Sequence, residues 1–507
     1  MRYTPIIGLE IHTRLKTASK MFCRCPNVPE TTAPNTAICS ICTGQPGALP
    51  VVNEQAIRLG VRIGLAFGAT IPPQADFDRK QYFYPDLPKG YQVTQQQHPI
   101  VEGGSLTIAS PIAHEGTRTI HLERAHLEED AAKNIHDTSG ATFVDYNRAG
   151  VPLLEIVTAP DIRSAQEAKL FLQELQAILR ALKASDADME KGYLRCDANI
   201  SLLPIDEEGR ALQATFNPKV EVKNMNSFKS VERAILFEVE RQTALYEQGL
   251  TVPSETRGWD DTQGVTISQR SKEGAADYRF MPEPDLPTIT LTRYREEELA
   301  RLPELPARTR QRLTEEYHLK EEDARLIVER GWTGYAEQTF SELGAWLEAQ
   351  DTGPLSGGEL MEQKRDELAK LLGSWLVHKV AALLNERAIE LRDSRMTPEN
   401  FAEFLHMIHD GSLNSTNALK LLALMVDTGA DPSHLVEEHG LAQSNDEETL
   451  IASIQTIVNS HPDQAEQVRG GKEAVLKWFV GQVMRANGGR IDPKQAEELL
   501  RRLLLPS

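Results

Sequence analysis

Residues 6–15 read IIGLEIHTRL. The apolar residues Ile7, Leu9 and Ile11 share one parity, and Gly8, Glu10 and His12 fall between them. Successive side chains of a strand point to opposite faces, so the alternation predicts a half-buried β-strand. Glu10 and His12 then stand on one face, about 7 Å apart along the chain. One such pair is commonly no more than a wet face. A metal or acid–base site would need partners elsewhere in the sequence.

The same short alternation recurs up to about Pro287, in LTIAS at 106–110, RTIHLERAHLEED at 118–130 and VPLLEIVTAP at 151–160. Two helical patterns interrupt it. SAQEAKLFLQELQAILRALKA opens on Ser164 as a cap, and SVERAILFEVERQTALYEQG stops at Gly249. Strand runs mixed with a few helices predict an α+β fold whose sheet is mostly antiparallel. The proline-rich FMPEPDLPTITL, residues 280–291, breaks regular structure and marks a boundary. Beyond it strand patterns vanish. The expected organisation is a sheet-built cradle domain over 1–293, an all-α domain over 294–396 and an all-α tail over 397–507. The middle part carries a loose glycine-containing insert, DTGPLSGGEL at 351–360, and the tail opens on Thr397 as cap with Pro398 at the first helical position.

With 507 residues, 40% hydrophobic and 25% charged, the chain has the composition of an ordinary globular protein with several cores. No run approaches the roughly 18 uncharged apolar residues of a membrane span. Glu10 interrupts the N-terminal apolar run too early for a signal peptide, so a cytoplasmic location is the default expectation. A net charge of -19 repels nucleic acid as a whole, and any nucleic-acid contact must come from local basic patches. Five cysteines do not make a disulfide framework in a chain this long. Four of them cluster, as Cys-x-Cys at Cys23 and Cys25 and Cys-x-x-Cys at Cys39 and Cys42. Two close-set pairs can close a tetrahedral thiolate site for Zn2+ in a loop near 21–45.

Other polar groups could join Glu10 and His12. RAHLEEDAAK offers His126, Glu128, Glu129 and Asp130, and VPLLEIV places Glu155 inside an apolar strand, where an unpaired carboxylate is costly. LRCDANISL and VEVKNMNSF alternate Arg195, Asp197 and Asn199, then Glu221 and Lys223, with apolar residues. Hard oxygen donors with a single His favour Mg2+ or Mn2+ over zinc. Such a cation beside Lys and Arg suits phosphoryl transfer from ATP. Neither GxxxxGK[ST] nor a kinase HRD or DFG set is present, so the residues alone indicate a metal-dependent cleft of uncommon kind.

Seven stretches occur in order over the first 290 or so residues: IIGLEIHTRL, DRKQYFYPDLPKGYQ, HLEEDAAK, YNRAGVPLLEIV, LRCDANISL, EVKNMNSF and DYRFMPEPDLP. Together they resemble the B subunits of the tRNA-dependent amidotransferases, and the helical C-terminal part resembles that family too. The resemblance implies an enzyme that uses ATP to phosphorylate the side-chain carboxylate of mischarged Glu-tRNA(Gln) or Asp-tRNA(Asn), after which ammonia displaces the phosphate. It implies Glu10, His12, Glu129 and Glu155 as Mg2+ ligands, with Lys80 and Lys89 in the reaction cleft. Arg195, Asp197, Asn199, Lys223, Asn224 and Asn226 become candidates for the ATP phosphates or the acyl-tRNA end. It makes the four cysteines a structural zinc clip, since four thiolates leave no open position. Ammonia must come from another chain, which the family supplies as an amidase (the A subunit), with a small third chain (the C subunit) completing a heterotrimer.

In the tail, residues 469–502 carry eight Lys or Arg (469, 472, 477, 485, 490, 494, 501, 502) against four acids (473, 492, 497, 498), a local +4. The pattern suits a grip on the tRNA body through phosphate contacts, or simply two solvated helix faces. The helix KEAVLKWFVGQVMRAN is expected to stop at Gly488–Gly489, with Asp492 and Pro493 opening the last one. A different class of function, a zinc-ribbon RNA-binding adaptor without catalysis, would make the acidic stretches a plain solvated face.

Overall fold

The computed structural model describes residues 2–137, 139–271, 277–350, 357–442, 447–486 and 493–504. Gly488, Gly489, Asp492 and most of the 351–360 insert lie outside them. The chain divides into two compact units, Met1–Pro306 and Ala307–Ser507.

The first unit is α+β. Its main sheet has nine strands, ordered Val265–Ser271, Glu255–Asp260, Val220–Lys223, Leu194–Ile205, Arg2–Arg14, Pro152–Thr158, Thr117–Glu129 and Val101–Glu102, with Ser105–Ala109 also on Thr117–Glu129. The pairing is antiparallel throughout except between Val220–Lys223 and Glu255–Asp260. The stretch read first from the sequence is the centre of this sheet, flanked by Leu194–Ile205 and Pro152–Thr158. Ile7, Leu9 and Ile11 are buried, and they belong to one apolar cluster with Phe171, Leu172 and Leu175 of the helix Ala165–Ala181 and Ile235 of the helix Phe228–Glu247. With that face sealed by the helices, the opposite face of the same strands is free to carry polar groups.

Local chemistry starts the helices where expected. Ser164 accepts from Glu167 N–H at 3.1 Å. Ser227 does the same for Ser230 N–H at 3.0 Å, satisfying a donor that a helix leaves open in its first turn.

The first unit runs past residue 293, where Tyr294, Leu302 and Leu305 pack on its apolar cluster and a charge anchor joins them. The helix Thr292–Leu299 is tied back to the helix Glu54–Ala66 by the fully buried Glu298. Its carboxylate accepts from Arg58 Nη1 at 3.1 Å and from Arg62 Nε at 2.7 Å.

In the second unit every described element is helical. Thr397 caps the helix Pro398–His409 by accepting from Asn400 N–H at 3.2 Å. One apolar cluster runs from Leu313 to Leu441, across residue 397, with Phe401, Phe404, Leu421 and Met425 fully buried in it. A second runs from Leu450 to Leu504. Among the described residues no helix is long and apolar enough to cross a membrane.

Candidate active site and cysteine clip

The polar face of the main sheet is laid out by register. His12 stands opposite Glu155 on one side and Arg195 on the other, and Glu155 stands opposite His126. One row across four strands therefore reads His126, Glu155, His12, Arg195. In the neighbouring rows Glu10 faces Asp197 and Val157, while Glu128 faces Leu153. Directly opposed antiparallel residues have Cβ atoms about 4.5–5.5 Å apart, which is how residues distant in sequence converge.

They converge closely. His12 Nε2 lies 3.3 Å from Glu155 Oε2, 3.4 Å from Glu128 Oε1 and 4.0 Å from Glu10 Oε1. His126 Nε2 is 3.2 Å from the same Glu155 oxygen. His126, Glu128 and Glu155 are 3%, 2% and 8% exposed. Two overlapping groups, Glu10–His12–Glu155 and His126–Glu128–Glu155, each offer donor atoms within 4.8 Å of one another.

Burial alone would lower the His12 pKa, yet its hydrogen bond to Glu155 and the charges of Glu128 and Glu155 win and lift it to about 9. Burial pushes the Glu10 and Glu128 carboxyls up, Glu155 adding to both shifts. Glu155 goes the other way: burial opposes its charge, but hydrogen bonds from His12 and His126 hold it below the usual carboxylate range. Three carboxylates around two imidazoles, with Glu128, Glu155 and His126 buried, could hold a hard divalent cation.

A cavity of about 650 Å3 opens beside this cluster, with Glu10, His126, Glu155, Lys80, Arg124 and Lys223 among its walls. The Lys80 ammonium lies 4.8 Å from the Tyr278 ring centroid. Lys223 pairs with Asp197 and, at 2.9 Å, with Glu221. These pairings keep its pKa above the ordinary lysine value although burial pulls the other way. Arg195 donates to Asp130 at 2.9 Å. Asn199 stands in register between Gly8 and Glu221, whereas Asn224 and Asn226 are exposed in the loop after Val220–Lys223.

Two expected site residues, Glu129 and Lys89, are elsewhere. Glu129 is the next residue after Glu128 on one strand, so the pleat sends it to the opposite face. There its Oε1 accepts from Val93 N–H at 2.9 Å and from the Lys89 ammonium. Glu128 and His126 take the place expected of Glu129. Their signal was present in ERAHLEED, where Arg124, His126 and Glu128 alternate with Ala125 and Leu127 just as Glu10 and His12 alternate with apolar residues. Tyr278 and Phe280, which also line the cavity, had no periodic signal.

The four cysteines Cys23, Cys25, Cys39 and Cys42 come together, their Sγ atoms within 4.8 Å of one another. Cys39 and Cys42 Sγ are 3.9 Å apart, close to the roughly 3.8 Å edge of a tetrahedron with Zn–S bonds of about 2.3 Å. The Cys42 thiol is held down to about 4 by hydrogen bonding with Cys23, helped by the Cys39 N–H and the Lys20 charge against burial. The clip is compatible with zinc. Cys196 is buried apart, and burial pushes its thiol up.

Comparison with known proteins bears on the whole chain. A model described as the GatB/GatE catalytic domain matches residues 5–296, which include every group just described. The chain belongs to this family. A second model, the GatB domain, matches residues 359–504. The aspartyl/glutamyl-tRNA(Asn/Gln) amidotransferase B subunit of Thermotoga maritima is 42% identical over 510 residues, 99% of each chain. That of Thermodesulfovibrio yellowstonii is 41% identical over 505 residues, 99% of this chain and 100% of the other. That of Crocosphaera subtropica is 42% identical over 515 residues, 99% and 98%. The chain is thus similar along its whole length to amidotransferase B subunits, and it is an enzyme component of the ligase class.

Proposed function

We propose that this chain is the ATP-consuming component of an amidotransferase that converts Glu-tRNA(Gln), Asp-tRNA(Asn) or both to the amidated forms. In the reaction, the γ-phosphoryl group of ATP passes to the side-chain carboxylate of the aminoacyl ester, releasing ADP. Ammonia then attacks the acyl phosphate, phosphate leaves, and an amide remains. The observation that supports this reading is the cluster of buried His126, Glu128 and Glu155 with part-exposed Glu10 and His12, at the wall of a cavity that also presents Lys80, Arg124 and Lys223. A carboxylate is a poor acyl donor until phosphorylated, and the transfer needs positioning and charge neutralisation.

The cluster residues would hold Mg2+, which supplies charge neutralisation of the phosphates when bound. Lys80, Lys223 and Arg124 would orient phosphate oxygens within the cavity, and Arg195, Asp197 and Asn199, on the same polar face, would meet the phosphates or the acylated end. Asn224 and Asn226, exposed in the loop after Lys223, would meet the ATP phosphates or the acyl-tRNA end. Cys23, Cys25, Cys39 and Cys42 would hold a structural Zn2+.

Ammonia would come from a partner glutaminase of the amidase kind in a heterotrimer with a small third chain, in the cytoplasm where aminoacyl-tRNA is made. The basic residues of 469–502 would grip the tRNA body. Within that stretch Arg501 is engaged by Glu473 and Glu497, each at 2.8 Å. An RNA adaptor without catalysis would have no use for three carboxylates, two of them buried, gathered around two imidazoles. With its partner chains, the protein should release ADP from ATP only when mischarged tRNA is present. Glu10→Ala and His12→Ala should abolish that release while glutamine hydrolysis by the partner persists. ADP formation indifferent to mischarged tRNA would refute the assignment.

A further inference from the structure

Glu129, turned away from the cation cluster, leads by a chain of contacts to the cysteine clip. It is 5% exposed. Besides the bonds from Val93 and Lys89 to its side chain, its backbone carbonyl accepts from Gln92 Nε2 at 2.9 Å. The same short strand, Tyr91–Thr94, reaches the other glutamate: Thr94 Oγ1 donates to Glu128 Oε2 at 3.3 Å. One strand therefore grips both glutamates, and its hold on Glu129 helps to set where Glu128 lies.

Lys89 is held in turn by the cysteine loop. Its ammonium is 5.7 Å from the Phe22 ring centroid and 5.4 Å from that of Tyr91, and Phe22 directly precedes Cys23. Gly44, two residues past Cys42, has φ +67 and lies so close that a Cβ on it would come within 2.8 Å of Lys89 Cγ and 3.1 Å of its backbone N. Gly150, with φ +83, closes the other flank. A Cβ there would meet Cys42 Cβ at 3.6 Å, Lys20 Cδ at 3.7 Å and Glu129 Oε2 at 3.9 Å. Cys42 and the Glu129 carboxylate thus border one small space beside Gly150.

We propose that Lys89 and Glu129 are positioning residues through which the cysteine clip sets the place of Glu128, so that zinc in the clip strengthens divalent-cation binding at the cluster. The inference rests on the proposed roles of the two metal sites. The physical link is the cost of a buried charge without its partner. When the loop loosens and Lys89 withdraws, Glu129 must seek water, and the strand end carrying Glu128 moves with it. Coupling of this kind is reciprocal, so a cation at the cluster also tightens zinc.

The test uses the full chain, Mn2+ as the probe cation read by electron paramagnetic resonance, and zinc content by elemental analysis. Lys89→Met and Glu129→Gln should each weaken Mn2+ binding by about 10-fold with zinc retained, the size expected when the support of a metal ligand is removed. The double variant, which restores a neutral pair, should recover most of the loss. Wild-type protein stripped of zinc by a chelator, with the chelator then removed, should show the same weakening, and Lys89→Met should add nothing to it. Unchanged Mn2+ affinity in the single variants or in the zinc-stripped wild type overturns the proposal, and so does a double variant no better than the singles. If the single variants fail to fold, the zinc-stripped arm decides alone. Wild-type Mn2+ binding that is insensitive to Glu155→Gln would instead show that the cluster reading has failed, and the proposal with it.

Discussion

Glu155 belongs to both donor groups of the cluster, and Glu155→Gln tests the site most directly. The carboxylate lies 3.3 Å from His12 Nε2 and 3.2 Å from His126 Nε2. Hydrogen bonds to charged groups are worth about 1.5–3 kcal/mol each, so their loss alone would be severe. The substitution also removes repulsion between Glu155 and both Glu10 and Glu128, which raises the pKa of each. The two effects oppose each other, and the metal-free protein should lose no more than about 1–2 kcal/mol of stability. Cation binding has no such offset. At a Mg2+ concentration 100-fold above its Kd, the wild type gains about 2.7 kcal/mol of stability. A variant binding about 100-fold more weakly gains only about 0.4 kcal/mol at the same concentration, by the same relation. ADP formation on mischarged tRNA should fall by roughly 10^2–10^3-fold, the usual result of deleting one preorganised charge-stabilising group. The measurements are thermal unfolding with and without Mg2+, and ADP release. A Glu155→Gln protein with the wild-type Mg2+-dependent shift and rate would refute the cluster as a cation site.

The remaining predictions concern the cysteine clip, the tail and a helix anchor. Cys39→Ser should abolish zinc binding at the clip, measured by elemental analysis of zinc-replete protein, and open the 21–45 loop to proteolysis, because thiolate ligation and local folding are linked. Cutting at residue 398 would divide the apolar cluster that contains Phe401 and Phe404, so the informative truncation removes 443–507. It should weaken tRNA binding and flatten its salt dependence in a binding titration, leaving partner glutaminase activity standing. Glu298→Ala leaves Arg58 and Arg62 without their buried partner. Arg58 keeps Glu54 and Glu297, so the change should destabilise the first unit by about 1–3 kcal/mol in chemical denaturation with no change in Mn2+ affinity.

Much of this molecule was legible in the order of its residues. Strict alternation in IIGLEIHTRL required a strand with Glu10 and His12 on one face, because side-chain direction along a strand depends only on parity. Ser164 and Thr397 marked helix starts through a hydrogen bond each makes within its own first turn. The two cysteine pairs indicated a thiolate site because few other arrangements bring four thiols into adjacent positions. Parity separates Glu128, which shares it with Arg124 and His126, from Glu129, yet the family resemblance implied Glu129 as the ligand. Which parity faced the cleft depended on which strand lay beside which.

That was decided by tertiary structure alone. Glu155 lies 143 positions beyond His12 in sequence, and only the pairing of Arg2–Arg14 with Pro152–Thr158, and of the latter with Thr117–Glu129, places His12, Glu155 and His126 in one row. Register across a sheet is fixed by packing of the opposite, apolar face against helices, a condition that no local pattern encodes. The same holds for Glu298, a polar residue in a charged helix by sequence, whose burial follows from where Arg58 and Arg62 of a distant helix point. Local alternation determined what each strand could offer, and the long-range burial of Ile7, Leu9 and Ile11 against the helices determined which offers met.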